Sequence, residues 1–152
     1  MEEGQLRLEP VTPDNVGAAC RMSVRTDQQD FVAPVSWSLA EAYVNPDTAW
    51  PRLVYRHDAP VGFVMGAFDP ANEIAFFRCG IWRLNVAADE QRSGVGSYAV
   101  RQVLAEGRRR GFARATVLWV PKAGGPGPFY ERLGFVPTGE VFHGEVVGAI
   151  DL

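Results

Sequence analysis

The chain has 152 residues, of which 47% are hydrophobic and 22% charged, and its formal net charge is −3. This length fits one domain over residues 1–152, large enough to fold without a disulfide or a metal. The slightly acidic balance argues against a nucleic-acid partner, which usually selects a basic face. No apolar run of about 18 residues occurs, and residues 1–10 lack the apolar segment of a signal peptide. We therefore expect a cytoplasmic protein without a membrane partner.

The first half of the chain predicts a strand, two helices and three further strands. A strand is expected at residues 5–10, followed by a helix that begins at Thr12-Pro13-Asp14, where threonine can cap and proline can occupy the first turn. A second helix should begin at Ser36 or Ser38 and end before Asn45-Pro46. Turn sequences then separate three strand-like runs, which are Arg52–His57, Val61–Phe68 and Phe76–Val86.

The second half begins with a long amphipathic helix, from Ser93 to about Arg110, in which apolar residues recur every three to four positions. Gly111 should end it. The remaining predicted elements are a strand at Ala115–Val120, a short helix around Phe129–Leu133, and closing strands at Phe135–Val136 and Glu145–Leu152. This order predicts an α/β (α+β) fold, a mixed sheet with helices on both faces.

The most informative segment, LNVAADEQRSGVGS at residues 84–97, leads from a strand through a polar loop into the long helix. Such a turn directs several unpaired backbone N–H groups at one point, and the helix dipole adds partial positive charge. The segment therefore predicts an anion site suited to a phosphate or pyrophosphate. Gly94 and Gly96 would let the backbone approach the ligand, and Arg92 would add a mobile cation.

Two other phosphate-binding loops fit less well. A P-loop requires Gly-Lys-Ser/Thr, whereas Lys122 is the only lysine in the chain. A dinucleotide fingerprint requires a third glycine in an opening β-α-β unit, and this loop follows the fourth strand. By itself, the Gly-x-Gly pair fits a plain strand–helix turn about as well.

Residues 91–96, QRSGVG, resemble the Gln/Arg-x-x-Gly-x-Gly/Ala signature of the GNAT superfamily of N-acetyltransferases. Leu84-Asn85-Val86 and residues 129–135, FYERLGF, resemble its two other recurrent segments. Blocks such as PVGFVM at residues 60–65 and PTGE at 137–140 look like the bacterial diamine and spermine/spermidine acetyltransferases. The resemblance implies the GNAT fold, with a mixed, mostly antiparallel sheet of about seven strands. It also implies transfer of an acetyl group from acetyl-CoA to a small-molecule primary amine.

The resemblance further implies particular roles, with acetyl-CoA as cosubstrate and no metal. The pantetheine arm of CoA would pair with the backbone of Leu84 and Val86, and an N–H near Leu84 or Asn85 would stabilise the oxyanion. Tyr130 matches the tyrosine that protonates the departing thiolate. The CoA pyrophosphate would lie on the signature loop, formed by Gln91, Arg92, Ser93, Gly94, Val95, Gly96 and Ser97.

The sequence departs from the family pattern in two places. Relatives often carry a catalytic carboxylate on the fourth strand, but residues 76–86 contain no Asp or Glu. Glu73 or a water chain could replace it, and the general base is left unassigned. Relatives also often have an asparagine after the fifth strand, where this chain has Ala123 within the glycine- and proline-rich segment Lys122–Pro128. The CoA contacts of that segment are left open.

A polyamine or similar small amine is the acceptor that these blocks favour. Asp27, Asp30 and Glu41 are the predicted carboxylates for its ammonium groups, and the predicted aromatic faces are Trp37, Tyr43, Phe76, Phe77 and Trp82. The alternatives are an aminated antibiotic, an amino acid, a protein N-terminus, or a CoA-binding sensor without turnover. A homodimer is compatible with the sequence. His57 and His143 show no ligand spacing and are interpreted as structural, and Cys20 and Cys79 are interpreted as two small buried hydrophobic residues.

Overall fold

The computed structural model describes residues 5–152, which form seven strands and four α-helices. The helices are α1 (Val16–Arg21), α2 (Val35–Val44), α3 (Val95–Arg109) and α4 (Gly127–Arg132). The strands are β1 (Leu6–Pro10), β2 (Ala49–Arg56), β3 (Ala59–Phe68), β4 (Cys79–Val86), β5 (Arg114–Trp119), β6 (Val136–Phe142) and β7 (Glu145–Asp151). They form one sheet in the order β1-β2-β3-β4-β5-β7-β6.

The sheet is mixed, and β4 with β5 is its only parallel pair among the described strands. A parallel pair needs a long crossover, and α3 supplies it. The predicted mixed, mostly antiparallel sheet of seven strands is confirmed.

Helices cover both faces of the sheet, as predicted. On one face, α3 buries the apolar positions that its sequence period predicted, and α4 packs beside it. On the other face, α1 and α2 cover a smaller cluster built on Leu53, Phe63 and Met65. The buried positions of α3 are Val95, Ala99, Val100, Val103, Leu104 and Gly107.

Several boundaries differ from those predicted. Helix α1 begins at Val16, because the Asn15 side chain folds back and its Oδ1 accepts a hydrogen bond from the Thr12 N–H at 2.8 Å, which closes a turn first. Residues 75–77 form a short 3₁₀ turn, so that β4 begins at Cys79 and not at Phe76. Strand β6 is longer than predicted, since it pairs with β7 through a register shift around Gly139.

Strands β4 and β5 separate soon after they meet. They pair only through Gly80 with Thr116 and Ile81 with Val117. A Cβ on Gly80 would lie 2.0 Å from the Thr116 carbonyl oxygen, so this close approach requires glycine. Trp82 is the extra residue of a bulge in the β3–β4 ladder. Residues 82–86 therefore diverge from β5 and leave one backbone edge of β4 without a strand partner in the described chain.

Cys79 gives the fold a pH-dependent stability at high pH. Its thiol is buried, and burial, only partly offset by Arg110, raises its pKa from 9.0 to about 11. The unfolded chain releases this proton first, so the free energy of unfolding should fall between pH 9 and about 11. The upper limit of this contribution is about 3 kcal/mol. Urea unfolding across that range should show a smaller fall for Cys79→Ala. Cys20 was predicted to be buried but is exposed, and Cys20→Ala should match the wild type.

Candidate active site

A cavity of about 980 Å³ opens where β4 and β5 diverge. We call it the large cavity; its walls are residues 81–84 and 86 of β4, residues 117–119 of β5, the start of α3, helix α4 and the loop before α2. Most of the predicted site residues line it, namely Leu84, Val86, Gln91, Arg92, Gly94, Gly96, Ser97 and Tyr130. Sequence segments that are far apart along the chain thus share one space.

Two polar side chains of the signature loop, Gln91 and Ser93, form hydrogen bonds within the protein. Gln91 Nε2 donates to the carbonyl oxygen of Val86 at 2.9 Å, and Gln91 Oε1 accepts a hydrogen bond from Gln28 at 3.1 Å. The Ser93 hydroxyl donates to the Glu90 carbonyl. Because the side chains of Gln91 and Ser93 are engaged within the protein, the groups left for a ligand are the backbone N–H groups, Arg92 and Ser97.

Arg56 on β2 supports the same loop, and the sequence analysis missed it. Its Nε donates to the Glu90 carboxylate at 3.2 Å, and its Nη2 lies 3.4 Å from the Ser93 carbonyl oxygen. Both groups of the pair are largely buried. Arg56 belongs to no local motif, since 34 residues separate it from Glu90. Only the tertiary fold brings the end of β2 under the loop.

The loop backbone has the geometry of an anion site. Arg92 and Gly94 both adopt left-handed conformations, with φ of 63° and 86°, and such turns point successive N–H groups in one direction. The first N–H groups of the 15-residue helix α3 add to this set. A Cβ on Gly94 would point into open space, whereas one on Gly96 would lie 3.1 Å from the Phe129 ring. Gly94 thus faces the cavity, whereas a side chain at Gly96 would press on the Phe129 ring.

Three of the predicted site residues do not line the large cavity. One is Ser93, whose hydroxyl donates to the Glu90 carbonyl oxygen. Val95 is buried in the core between α3 and the sheet. Asn85 is also buried, and its Nδ2 donates to the Ala33 carbonyl at 3.0 Å, which fixes the loop before α2. The side chains of Asn85 and Val95 therefore position the elements that form the cavity walls without lining the cavity.

Tyr130 lies on α4 and lines the large cavity. Its ring stacks on Trp119 with a centroid distance of 6.0 Å and meets Phe135 edge to face at 5.7 Å. Within residues 5–152 its hydroxyl makes no hydrogen bond. Burial raises the pKa of this phenol above its ordinary value of 10.0, so the hydroxyl remains protonated at neutral pH and is available as a proton donor.

A small cavity of about 400 Å³ adjoins the large one. Thr116 and Leu118 line it; by strand alternation their side chains lie on the opposite sheet face from Val117 and Trp119, which pack with α3. Its aromatic wall is a cluster of Phe76, Phe77 and Phe142 with centroid distances of 4.9–5.7 Å. Its carboxylates are Asp69 and Glu145. The two cavities share Ile81, Trp82, Arg83, Leu118 and Glu145.

The predicted acceptor carboxylates lie elsewhere. Asp27 is exposed and forms an ion pair with Arg25 at 2.8 Å. Glu41 is paired with Arg83 at 2.9 Å, and Asp30 lines the large cavity only. The sequence analysis did not single out Asp69 and Glu145, because the first follows β3 and the second begins β7, and no local pattern relates them.

Only part of the predicted aromatic set lines the small cavity. Phe76, Phe77 and Trp82 do so, whereas Trp37 and Tyr43 on α2 are 62% and 85% exposed. Glu73 is exposed and lines neither of the two cavities, as expected for a surface carboxylate.

No group of three or more His, Cys, Asp or Glu side chains in residues 5–152 could hold a metal ion. His57 and His143 occupy left-handed positions in the β2–β3 and β6–β7 turns. Over the same residues, no helix is both long and apolar enough to span a bilayer.

Known proteins share this architecture. Residues 18–135 match the acetyltransferase (GNAT) family. The GNAT domain of PAT from S. lividans has a TM-score of 0.77 at 16% identity, covering 97% of this chain and 90% of that chain. An acetyltransferase from Thermus thermophilus has a TM-score of 0.70 at 20% identity, with both chains fully covered. PaiA N-acetyltransferase from Thermoplasma acidophilum, solved with coenzyme A, has a TM-score of 0.72 at 10% identity, covering 97% of this chain and 99% of that chain. No curated protein sequence matches significantly.

The family match spans well over half of the chain, so the chain belongs to the GNAT acetyltransferase family. The structural similarities, at 10–20% identity, show that it has the GNAT fold. It is an N-acetyltransferase of the EC 2.3.1 class, a family whose members bind acetyl-CoA or CoA.

Proposed function

We propose that this enzyme transfers the acetyl group of acetyl-CoA to a primary amine of a polyamine or a similar small cationic amine. The observation that carries the proposal is the junction of the two cavities at residues 81–83 of β4. One side offers an anion-binding loop, and the other offers carboxylates and aromatic rings. Acetyl transfer requires such an arrangement, because thioester and amine must approach one another from separate sites.

The large cavity fits the elongated, anionic shape of CoA. Residues 91–97 present N–H groups, a helix N-terminus and Arg92 to a pyrophosphate. The open edge of residues 82–86 can pair with the amides of a pantetheine arm, much as a peptide adds to a sheet. In this proposal the side chains of Gln91 and Ser93 position the loop and do not bind the phosphates.

The chemistry follows from the two sides. The neutral amine nitrogen forms a bond to the thioester carbon, and the carbonyl electrons move onto oxygen, where a backbone N–H near Leu84 or Asn85 would stabilise the charge. The carbon–sulfur bond then breaks, and the Tyr130 hydroxyl gives its proton to the departing thiolate. The product nitrogen loses its remaining extra proton through water, which restores the phenol.

The small cavity favours a cationic acceptor. Ammonium groups gain from the carboxylates Asp69 and Glu145 and from the faces of the phenylalanine cluster. Arg83 is the one basic side chain among the described residues that line this cavity, and it is already paired with Glu41. An acceptor that carries its own carboxylate would therefore meet two acids and no free cation. A volume of about 400 Å³ also suits a small molecule.

The proposed acceptor can be tested with matched amines. Initial rates of thiol release from acetyl-CoA should be highest with spermidine or a diamine, and lower with aminoglycosides, amino acids and peptides. Asp69→Asn should raise the KM of a diamine by about tenfold, as expected for about 1.4 kcal/mol of lost attraction, and should change the KM of an alkyl monoamine of equal length much less. Asp58→Asn, at an exposed turn position, is the control and should change neither.

Two results would contradict the proposal. Spermidine turnover below that of amino acids or peptides across pH 6–10 would replace the polyamine with one of those acceptors. Absence of thiol release with every amine would favour a CoA-binding sensor.

A further inference from the structure

We propose that Glu145 is the general base that removes a proton from the acceptor amine. This assignment rests on the proposed function, because it requires acetyl transfer to an amine. It concerns a residue outside the signature loop and outside β4, which contains no carboxylate.

Glu145 is set apart by its position at the junction. Among residues 5–152 it is the one carboxylate that lines both cavities. Asp30 and Glu90 line the large cavity alone, and Asp69 lines the small cavity alone. Glu90 is further engaged by Arg56 at 3.2 Å, and Asp69 accepts a hydrogen bond from Asn72 at 3.0 Å. Only a group at the junction can touch the nitrogen that must reach the thioester.

The Glu145 carboxylate is also unengaged. Its side chain makes no hydrogen bond or ion pair within the described part of the chain, and it is half-buried. A half-buried carboxylate without a partner usually has a reason to remain free, because burial of an unpaired charge costs free energy. A cationic substrate would supply the missing partner.

The β6–β7 hairpin determines where Glu145 lies. Its turn residues His143 and Gly144 have φ of 49° and 81°, as a two-residue turn with two positive φ angles requires. Phe142 pairs with Glu145, and the next residue, Val146, pairs with Trp119 at the end of β5. The hairpin thus carries Glu145 past the end of β5.

Strand alternation then directs the side chain. Val147, two residues on, pairs with Leu118, and both residues at such a pairing project from the same face of a sheet. Leu118 lines the small cavity. Glu145 therefore projects towards the acceptor side, next to the aromatic wall formed with Phe142.

The proposed step is a proton transfer that balances with the acetyl transfer. The Glu145 carboxylate accepts one proton from the acceptor ammonium, directly or through one water, and leaves a neutral amine with a free electron pair. That pair forms the new carbon–nitrogen bond. The proton on Glu145 passes to solvent, which accounts for the one net proton released when an alkylammonium ion becomes an amide and CoA becomes a free thiol.

The test compares Glu145→Gln with the wild type on two acceptors. For spermidine at pH 7, whose amines resemble lysine with a pKa near ~10.4, kcat at saturating amine should fall by about 10²–10⁴-fold. An aminooxy or hydrazide analogue is already neutral at that pH and has no ammonium proton to lose before it attacks. With this acceptor, kcat should fall by less than about tenfold. Calorimetry should show unchanged CoA affinity, which also verifies folding.

Two further variants complete the comparison. Glu140→Gln, on the same hairpin and exposed, should behave as the wild type. Glu145→Asp keeps the carboxylate on a shorter stem and should retain intermediate activity with spermidine.

The possible failures can be told apart. A Glu145→Gln variant that raises KM but keeps kcat, or loses kcat equally with both acceptors, would overturn the base assignment and leave the acetyltransferase proposal intact. A wild-type enzyme that turns over neither spermidine nor any other amine would overturn both proposals.

Discussion

Replacing Tyr130 with phenylalanine should lower kcat by about 10²–10⁴-fold and leave acetyl-CoA affinity close to that of the wild type. The substitution removes one hydroxyl, while the ring contacts with Trp119, Phe129 and Phe135 remain available. Burial raises the pKa of this phenol, so the proton is present at every pH of the assay and the loss should persist from pH 6 to 9. Steady-state kinetics and calorimetry with CoA measure the two effects separately.

Tyr98→Phe is the matched control for this prediction. Tyr98 lies on α3, burial also raises its pKa, and it lines neither of the two cavities. Its variant should keep wild-type turnover. Activity of Tyr130→Phe within about twofold of the wild type would show that Tyr130 serves packing alone, since general acid catalysis contributes far more than that.

Replacing Gly94 with aspartate should weaken CoA binding by about 10²-fold or more, because a carboxylate next to a pyrophosphate costs several kcal/mol. Gly94 is the better position for this test, because its Cβ would point into open space, whereas a side chain on Gly96 would first displace the Phe129 ring. Asn and Asp both tolerate a left-handed backbone better than other side chains do. Gly94→Asn therefore introduces nearly the same size and strain without the charge.

The measurement is calorimetric titration of CoA into the wild type, Gly94→Asn and Gly94→Asp, with thermal unfolding to compare their stability. We expect the asparagine variant to lie much closer to the wild type than the aspartate variant does. Equal affinity of the two variants would mean that no anion binds at the start of α3, and the proposed pyrophosphate site would then be wrong.

The elements that depend on local interactions were predicted well from the sequence. Helix α3 has its buried positions at the predicted spacing, because a helix of 3.6 residues per turn imposes one period on any amphipathic sequence. The segment Gln91–Ser97 was likewise identified from its glycines and its position between a strand and a helix. A shared space for Tyr130 and this loop followed from the family resemblance, and the structure has them lining one cavity.

The errors fall where a specific side-chain contact, near or distant along the chain, overrides a local preference. The start of α1 was misplaced because Asn15 closes a turn back on Thr12 before the helix begins. Phe76 and Phe77 were assigned to a strand, but their rings cluster with Phe142, which is 65 residues beyond Phe77. Propensity predicts a strand for aromatic residues and cannot anticipate packing against a residue so far along the chain.

The sequence by itself therefore determined the class of fold, the long helix and the glycine-containing loop, because these follow from local periodicity and turn chemistry. Only the tertiary structure decided which carboxylates line the two cavities and which are paired with arginines. Strand β7 inserts between β5 and β6 and carries Glu145 to the junction of the two cavities, while Asp27 and Glu41 are paired with arginines. Strand order is set by burial summed over the whole sheet, and no segment of the chain encodes it alone.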